Sequence, residues 1–350
     1  MQPTVTLPHT DLRVSPICLG TADMGGKMAK ADAIRLLDAF LDAGGNFIDT
    51  AKVYSDWIPG ERSRSEKLIG EWLTERGNRS KFVLATKGAH PDLMAMQTAR
   101  LSPSDIVGDL DASLSHLRTD YLDLYWLHRD DPNTPIETII DTLNAQVKTG
   151  KIRYFGCSNW HSPRIQAAQG YAKQSGQMGF SGNQMLWNVG LIDPLGMPDK
   201  TLAIMNAEMR AFHQANGIAA IPYSSQANGR FSKIERGPER YADKLKRIGP
   251  RRMLLQIAQR LRDAMRANRQ PEMYPAVANQ KRFRALKEIA LECNVPISHV
   301  VVAYLTSQSI ITVPIVGPQT LVQLKDCVAA TALCLTSTQL AQIDISGRMK

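Results

Sequence analysis

The feature that most constrains this chain is a regular alternation of short apolar segments with amphipathic ones. The apolar segments are typical of strands and lie at 17–20, 46–49, 82–87, 121–128, 152–157, 180–185, 218–223 and 310–317. Helical patterns lie between or after them, at 30–43, 65–76, 103–118, 136–149, 163–175, 201–215, 281–293 and 319–328. Alternating strands and helices predict a parallel sheet. Eight such pairs favour a (β/α)8 TIM barrel, with a doubly wound open sheet as the main competitor.

Capping residues mark several of the predicted helix ends. Ser102 and Ser162 stand as N-caps, each followed by a proline at the first helical position. Gly44, Gly77 and Gly150 stand at helix C-termini, where a left-handed backbone is common. These signals support the helix assignments made from periodicity.

Three parts of the chain fall outside eight plain units. The segment "TVTLPHTDLRV" at 4–14 predicts a hairpin that covers the barrel bottom. The stretch 226–280 is too long for a simple connection, so we expect a helical insertion after the seventh strand. Extra helices are expected in "ISHVVVAYLTSQS" and "TSTQLAQIDI". The whole chain, 1–350, is then one barrel domain.

Composition argues against several classes of function. No segment approaches the roughly 18 uninterrupted apolar residues of a membrane span, and the N-terminus lacks the pattern of a secretory signal, so a cytoplasmic location is expected. The five cysteines are scattered without a CxxC pair, which argues against a disulfide framework and a zinc site. The net charge of +9 comes largely from residues 230–287. Apolar residues recur there at helical spacing, which favours a solvated helix face over a nucleic-acid partner.

Polar residues collect where the predicted strands end. Asp49 and Tyr54 follow the second strand, Lys87 ends the third and His128 ends the fourth. In an α/β barrel these positions form the catalytic face. We therefore expect the four side chains to converge.

The four residue types suit proton transfer to a carbonyl oxygen. Tyr54 can act as a general acid, and a neighbouring ammonium on Lys87 favours the phenolate and eases that transfer. Asp49 supplies the counter-charge that keeps Lys87 protonated in a dry pocket. His128 can donate a hydrogen bond that orients the substrate oxygen. Lys87, rather than the nearby Lys52, is therefore the expected partner of Asp49.

With these residues at these positions, the chain resembles the aldo-keto reductases. The resemblance covers almost the whole chain and is carried by "LGTADMGG", "NFIDTAKVY", "SEKLIGEWL", "ATK", "YLDLYWLH", "GKIRYFGCSNW", "IPYSSQ" and "VPIVGPQTLVQLKDCVAA". It implies a (β/α)8 barrel that uses NAD(P)(H) to interconvert a small-molecule carbonyl and an alcohol. It also implies that Tyr54 is the proton donor and that Asp49, Lys87 and His128 complete a catalytic tetrad.

The resemblance further implies a nucleotide site. Ser158, Asn159 and Gln184 hold the nicotinamide carboxamide, and Tyr223 stacks on the nicotinamide ring. The remaining expected cofactor contacts are Ser224, Gln226, Gly317, Gln319, Thr320 and Gln323. Many relatives have an arginine for the 2'-phosphate where this chain has Gln319 and Thr320, which weakens the case for NADP. NADP(H) remains favoured on the frequency of its use in the family, with NAD(H) as the alternative.

The substrate pocket is expected near Trp57, Trp160 and Trp187, which follow strands at the catalytic face and favour a sugar or aromatic carbonyl. Two other functions stay open. The first is a nucleotide-binding regulatory subunit of the channel β-subunit type. The second is a metal-dependent barrel hydrolase that uses histidines such as His90 and His161, but the chain lacks a tight ligand pair, so no metal is expected. No oligomeric state follows from these patterns.

Overall fold

Eight parallel strands form the centre of the protein in the computed structural model, which describes residues 4–236 and 272–346. The described strands are β1 (Val5–Thr6), β2 (Arg13–Val14), β3 (Cys18–Gly20), β4 (Phe47–Asp49), β5 (Val83–Gly88), β6 (Leu122–Leu127), β7 (Ile152–Ser158), β8 (Gly182–Gln184), β9 (Ala219–Ala220) and β10 (Ile315–Val316). Strands β3 to β9 pair in chain order, and β10 returns to pair with β3. Val313 N donates to Ala220 O at 2.9 Å, which joins the segment before β10 to β9. The sheet therefore closes into the predicted barrel, and the open-sheet alternative is wrong.

Helices follow most of the barrel strands. The described helices are α1 (Lys30–Asp42), α2 (Arg64–Arg76), α3 (Pro103–Leu117), α4 (Ile136–Lys148), α5 (Ser162–Gln174), α6 (Ala207–Asn216), α7 (Arg230–Glu235), α8 (Ala276–Glu292), α9 (Ile297–Thr306), α10 (Leu321–Ala330) and α11 (Ser337–Ser346), with 3₁₀ turns at Arg79–Lys81, Pro194–Gly196 and Ala227–Gly229. The extra helices α9 and α11 are confirmed. No described helix is by itself long and apolar enough to cross a membrane; α8 and α9 together pass that test but are bent by 99°.

Three predicted helix starts need correction, and one of them is that of α8, which begins at 276 rather than 281. Ser102 caps α3 as predicted, because its Oγ accepts from Asp105 N at 3.2 Å. Ser162 does not cap α5: it is already inside the helix, and its hydroxyl donates to a carboxylate oxygen of Glu208. Helix α6 begins at 207 rather than 201, because Asn206 caps it by accepting from the backbone N–H of residue 209 at 2.8 Å.

The N-terminal hairpin closes one end of the barrel, as predicted. Strands β1 and β2 pair antiparallel, and the buried side chains of Leu7 and Leu12 lie between them in the chain. They pack in one cluster with Phe47 and Val83, which lie at or near the starts of β4 and β5. The hairpin therefore fills the end of the barrel opposite the strand C-termini.

Alternation along the strands decides which side chains face the barrel interior. In β4, Phe47 belongs to the interior cluster and Ile48 to the cluster beneath the helices. In β5 the same alternation places Ala85 inside and Leu84 outside. Because successive side chains point to opposite faces, Asp49 shares its face with Phe47. The strand pattern therefore turns the last residue of β4 inward.

The predicted insertion at 226–280 is described only in part. Residues 226–236 contain the turn Ala227–Gly229 and helix α7, and residues 272–280 include the start of α8. The stretch 237–271 lies outside the described residues. The extent of the insertion stays a prediction.

Candidate active site

A buried ion pair occupies the centre of the strand C-terminal face. Lys87, in β5, is 2% exposed, and Asp49, at the end of β4, is fully buried. Lys87 Nζ donates to Asp49 Oδ2 across 38 residues of sequence. Its two other hydrogens go to Thr50 O and Tyr54 Oη, each at 2.8 Å. All three ammonium donors are therefore used within the protein, so the hydroxyl hydrogen of Tyr54 is left for another acceptor.

The environment keeps Lys87 charged. Burial acts most strongly on the pKa of Lys87 and lowers it, but Asp49 and Tyr54 together outweigh burial, and the pKa ends above its ordinary value. Burial also raises the pKa of Asp49, although Lys87 and Gln184 oppose it. The ordinary carboxyl pKa lies roughly 3 units below neutral pH. We therefore treat the pair as ammonium and carboxylate, the combination in which each charge has a partner.

Tyr54 lies in the loop after β4, above this pair. Its backbone N–H bonds to Ala51 O at 3.0 Å, which folds the loop back over the strand end. Lys87 Nζ lies 4.5 Å from the centre of the phenol ring. The net pKa of Tyr54 is raised, because burial outweighs the lowering by Lys87. The sequence predicts the direction of the lysine's effect but not this net result. With a raised pKa, Tyr54 is a firmly protonated donor.

His128 completes the group predicted from sequence. Its ring meets the Tyr54 ring edge-on, with centroids 6.0 Å apart. Burial most of all, helped by the charge of Arg129, holds the pKa of His128 well below its ordinary value. His128 is therefore a neutral imidazole near pH 7. Its Nδ1 is buried and has no partner among the described residues.

His90 also belongs to this group, although the sequence suggests it only as a metal ligand. Its ring lies 4.6 Å from that of His128, centroid to centroid. His90 Nδ1 lies 2.6 Å from Pro91 O. Because a carbonyl oxygen only accepts, Nδ1 carries the hydrogen. Burial and then Arg129 lower the pKa of His90, so this ring is also neutral near pH 7.

Lys52, the nearer lysine in sequence, has a different partner. Lys52 Nζ pairs with Asp109 Oδ1 in α3. Asp109 also accepts from Arg100 NH2 at 3.0 Å and from Ala89 N at 2.9 Å. The prediction that Lys87 rather than Lys52 pairs with Asp49 is confirmed.

The residues expected to hold a carboxamide lie together beside the ion pair. Ser158 ends β7, and Asn159 Nδ2 donates to Ser158 Oγ at 3.1 Å. Tyr223 Oη donates to Asn159 Oδ1 at 2.6 Å. Gln184, at the end of β8, donates from Nε2 to Asp49 Oδ1 at 2.7 Å. Its Oε1 is a buried acceptor with no partner among the described residues. An unpartnered acceptor beside amide and hydroxyl donors suits a carboxamide, which has both an NH2 group and a carbonyl oxygen.

The loop after β9 carries the next two expected cofactor contacts. Ser224 has a positive φ of 49°, and its carbonyl accepts from Asn188 Nδ2 at 3.1 Å. Gln226 Nε2 lies 3.5 Å from Cys327 Sγ in α10. The loop is therefore tied to α10 through Gln226.

The last four expected contacts surround the start of α10. Thr320 caps this helix by accepting from Gln323 N at 3.2 Å. Gln319 N donates to Gln323 Oε1 at 2.6 Å, and Gln319 Nε2 donates to Asp23 Oδ2 at 3.2 Å. Gly317 and Gln319 are exposed. No local pattern in the sequence predicts the contact with Asp23, because the two residues are 296 positions apart.

The three tryptophans expected around a substrate pocket occupy different environments. Trp57 is 45% exposed, and its ring lies 6.3 Å from that of Tyr54. Trp160 is fully buried beneath the helices and packs against Phe180 at 5.1 Å. Trp187 is buried in a separate cluster with Tyr304. Of the three, Trp57 is the one in ring contact with Tyr54, and the other two belong to packing clusters.

Within residues 4–236 and 272–346 no group of three or more histidine, cysteine, aspartate or glutamate side chains is arranged to hold a metal ion. The described part of the chain therefore offers no support for the hydrolase alternative.

Comparison with known proteins points to one family. A family model described as "Aldo/keto reductase family" matches residues 16–348. The aryl-alcohol dehydrogenase [NADP(+)] of Phanerodontia chrysosporium is 30% identical over 95% of this chain and 82% of its own length. Norsolorinic acid reductase stcV and aldo-keto reductase ausK of Emericella nidulans are 28% and 29% identical, each over 97% of this chain and 80% of the relative.

Proposed function

The chain belongs to the aldo/keto reductase family, and from that premise we propose that it reversibly reduces an aldehyde or ketone to an alcohol with Tyr54 as the proton donor. The observation that carries the proposal is the hydrogen-bond pattern around Lys87. Its three donors go to Asp49, Thr50 O and Tyr54 Oη, so the Tyr54 hydroxyl keeps its own hydrogen for a substrate oxygen.

Each neighbour of Tyr54 has a role that follows from its charge. When Tyr54 gives its proton to the substrate oxygen, the phenolate left behind lies 2.8 Å from the Lys87 ammonium, which stabilises it. Asp49 keeps that ammonium charged. His128 is neutral, so it can donate a hydrogen bond to the substrate oxygen without placing a second cation beside Lys87.

A nicotinamide nucleotide bound at this site would supply the hydride that goes to the carbonyl carbon. Ser158, Asn159 and Gln184 are the residues that we propose hold its carboxamide, and the unpartnered Gln184 Oε1 supports this role. Tyr223 is proposed to pack against the ring, with its hydroxyl fixed by Asn159.

The remaining proposed nucleotide contacts are Ser224, Gln226, Gly317, Gln319, Thr320 and Gln323. We propose NADP(H) as the nucleotide, because one of the similar proteins carries NADP(+) in its name. Opposing this choice, the positions after Gly317 hold glutamine and threonine rather than arginine. Dissociation constants of NADPH and NADH for the wild-type protein test the choice directly, and tighter binding of NADH would overturn it.

We propose an aromatic aldehyde or ketone as the substrate class. Trp57 supports this, since it presents an exposed indole next to Tyr54. One of the similar proteins is also named for an aryl alcohol.

The test of the function compares wild type with Tyr54→Phe. Wild type should oxidise NADPH or NADH in the presence of aromatic aldehydes. The variant should lose about 10²–10⁴-fold in kcat, the usual contribution of a general acid, while its dissociation constant for the nucleotide stays within about twofold. Tyr171→Phe is a matched control, because the Tyr171 hydroxyl bonds to exposed Asp141 on the outer surface. A Tyr54→Phe protein with wild-type kcat would remove Tyr54 from the chemistry.

A further inference from the structure

An ion pair between Arg129 and Asp199 lies directly beside His128. Arg129 NH1 donates to His128 O at 3.0 Å, and Arg129 NH2 lies 3.3 Å from Asp199 Oδ2. The carbonyl of His128 also accepts from Asn159 Nδ2 at 3.3 Å. The pair therefore adjoins both the proposed substrate-orienting histidine and the proposed carboxamide site.

The partner of Arg129 comes from a distant loop rather than from the adjacent acids in the sequence. Asp130 is occupied by Arg164 at 3.1 Å. Asp199 belongs to the loop between β8 and α6, and its Oδ1 accepts from Thr201 N at 2.9 Å and Thr201 Oγ1 at 2.6 Å. Burial raises the pKa of Asp199, but the Thr201 bonds and Arg129 outweigh burial and lower it. Asp199 is therefore ionised near pH 7.

The pair acts on the rings that surround the proposed reaction site. Arg129 lowers the pKa of His90 and His128 and opposes the rise in that of Tyr223, while Asp199 acts in the opposite sense on His90 and Tyr223. These rings follow strands β5, β6 and β9. The pair therefore acts on groups from three loops at the strand C-terminal face.

The other titratable side chains of the site are already paired or neutral. Lys87 and Asp49 neutralise each other, and both histidines are neutral. The side chains of Arg129 and Asp199 are 13% and 32% exposed, so the pair is partly buried but still open to solvent. A charged substituent on a substrate would therefore meet a guanidinium that Asp199 has already compensated.

We propose that Asp199 determines the charge selectivity of the substrate site: by pairing with Arg129 it sets the site to accept uncharged carbonyl compounds and to gain nothing from a carboxylate on the substrate. This inference rests on the proposed function. Without Asp199, Arg129 becomes an uncompensated cation beside His128, and a guanidinium is the natural partner of a carboxylate.

The experiment uses two substrates with the same reacting group, 4-formylbenzoate and its methyl ester. The measured quantity is kcat/KM for the carboxylate divided by kcat/KM for the ester, with saturating nucleotide. Asp199→Asn keeps the shape of the side chain and an oxygen for Thr201 but removes the charge. We expect it to raise this ratio about tenfold, the effect of roughly 1.4 kcal/mol of new charge attraction.

A second variant makes the opposite prediction. Arg129→Met leaves Asp199 as an unpaired anion, so the ratio should fall several-fold below that of wild type. A loss of activity shared by both substrates cancels in the ratio, which separates charge selectivity from general damage to the site. The double variant Arg129→Met/Asp199→Asn should return the ratio to within about twofold of wild type.

Asp111→Asn is the matched control. It breaks an ion pair of 2.6 Å with Lys151, near the start of β7 and away from the strand C-terminal face. The two side chains are 50% and 34% exposed, so the ratio should not change. Ratios in Asp199→Asn and Arg129→Met that equal the wild-type ratio would overturn the inference while leaving the proposed function intact. Absence of turnover of any aldehyde by wild type, with either nucleotide, would instead refute the proposed function and the inference with it.

Discussion

Replacing Lys87 by methionine tests the central ion pair through stability instead of activity. The variant keeps the length of the side chain but leaves Asp49 as a fully buried carboxylate. Gln184 Nε2 still donates to Asp49 Oδ1 at 2.7 Å. Removing one partner of a buried pair costs about 3–5 kcal/mol, because the other charge stays buried without compensation.

Protonation of Asp49 limits this cost and makes it depend on pH. Protonating a carboxyl with an unfolded-state pKa of about 3.9 costs about 4 kcal/mol at pH 7 and about 1.5 kcal/mol at pH 5. In the variant the folded-state pKa of Asp49 rises further above the unfolded one, so the folded state binds the proton more tightly and the destabilisation grows as pH rises. We expect Lys87→Met to be less stable than wild type by about 3–4 kcal/mol at pH 7 and by about 1.5 kcal/mol at pH 5.

Urea unfolding of the full chain at pH 5, 6 and 7, followed by circular dichroism, measures the free energy of unfolding. Lys52→Met is the matched control: Asp109 keeps Arg100 and Ala89 N as donors, so the loss should stay near 1 kcal/mol or below and show no comparable pH trend. Adding Asp49→Asn to Lys87→Met should restore most of the stability. A Lys87→Met loss that is the same at pH 5 and pH 7, or no larger than that of Lys52→Met, would refute the reasoning.

The raised pKa of Tyr54 and the unpartnered Oε1 of Gln184 give the remaining expectations. A proton donor works only while it is protonated, so kcat for reduction should fall only as pH rises through the Tyr54 pKa, which lies above the ordinary phenol value of about 10. A fall in kcat between about pH 7 and 9 in initial-rate profiles would contradict this. Gln184→Leu should weaken nucleotide binding about tenfold in fluorescence titrations, because it removes a buried acceptor. Gln177→Leu, which also removes a buried unpartnered Oε1 but on the outer surface near Asp141, should leave binding unchanged.

The side chains at strand ends were predictable because the strand period fixes their direction. Asp49 lies two residues after Phe47, and Lys87 lies two residues after Ala85, so each shares the inward face of its strand. Parallel strands also end at the same side of the barrel. Those two rules place Asp49 and Lys87 together, although 38 residues separate them in the chain.

The tryptophans show that the direction of a side chain beyond a strand end cannot be predicted in this way. Trp160 follows the end of β7 by two residues and Trp187 follows β8 by three, and beyond a strand end no period decides which way a side chain turns. Both side chains lie in packing clusters, whereas Trp57, in a longer loop, is exposed beside Tyr54. Position after a strand predicts the end of the barrel on which a residue lies, but not whether it faces the pocket.

The net direction of the Tyr54 pKa shift could not be predicted from the sequence for a different reason. The sequence supplied the sign of a single contact, that of an ammonium with a phenol, and the structure bears this sign out. The net direction depends on how much water the fold removes from the ring, and burial is the larger effect. No local pattern contains that quantity, since it is set by loops from several strands.

The contact between Gln184 and Asp49 depends on closure of the barrel and not on a local sequence pattern. These residues are 135 positions apart and belong to β8 and β4, which lie on opposite sides of an eight-stranded ring. In an open sheet with the same strand order, three strands would lie between the two side chains and they could not touch, since neighbouring strands are spaced by roughly 4.8 Å. Strand period decides which side chains face inward, whereas closure decides which of them meet. Asp49 therefore accepts from Lys87 on the next strand and from Gln184 across the barrel, and only the second contact required the full fold.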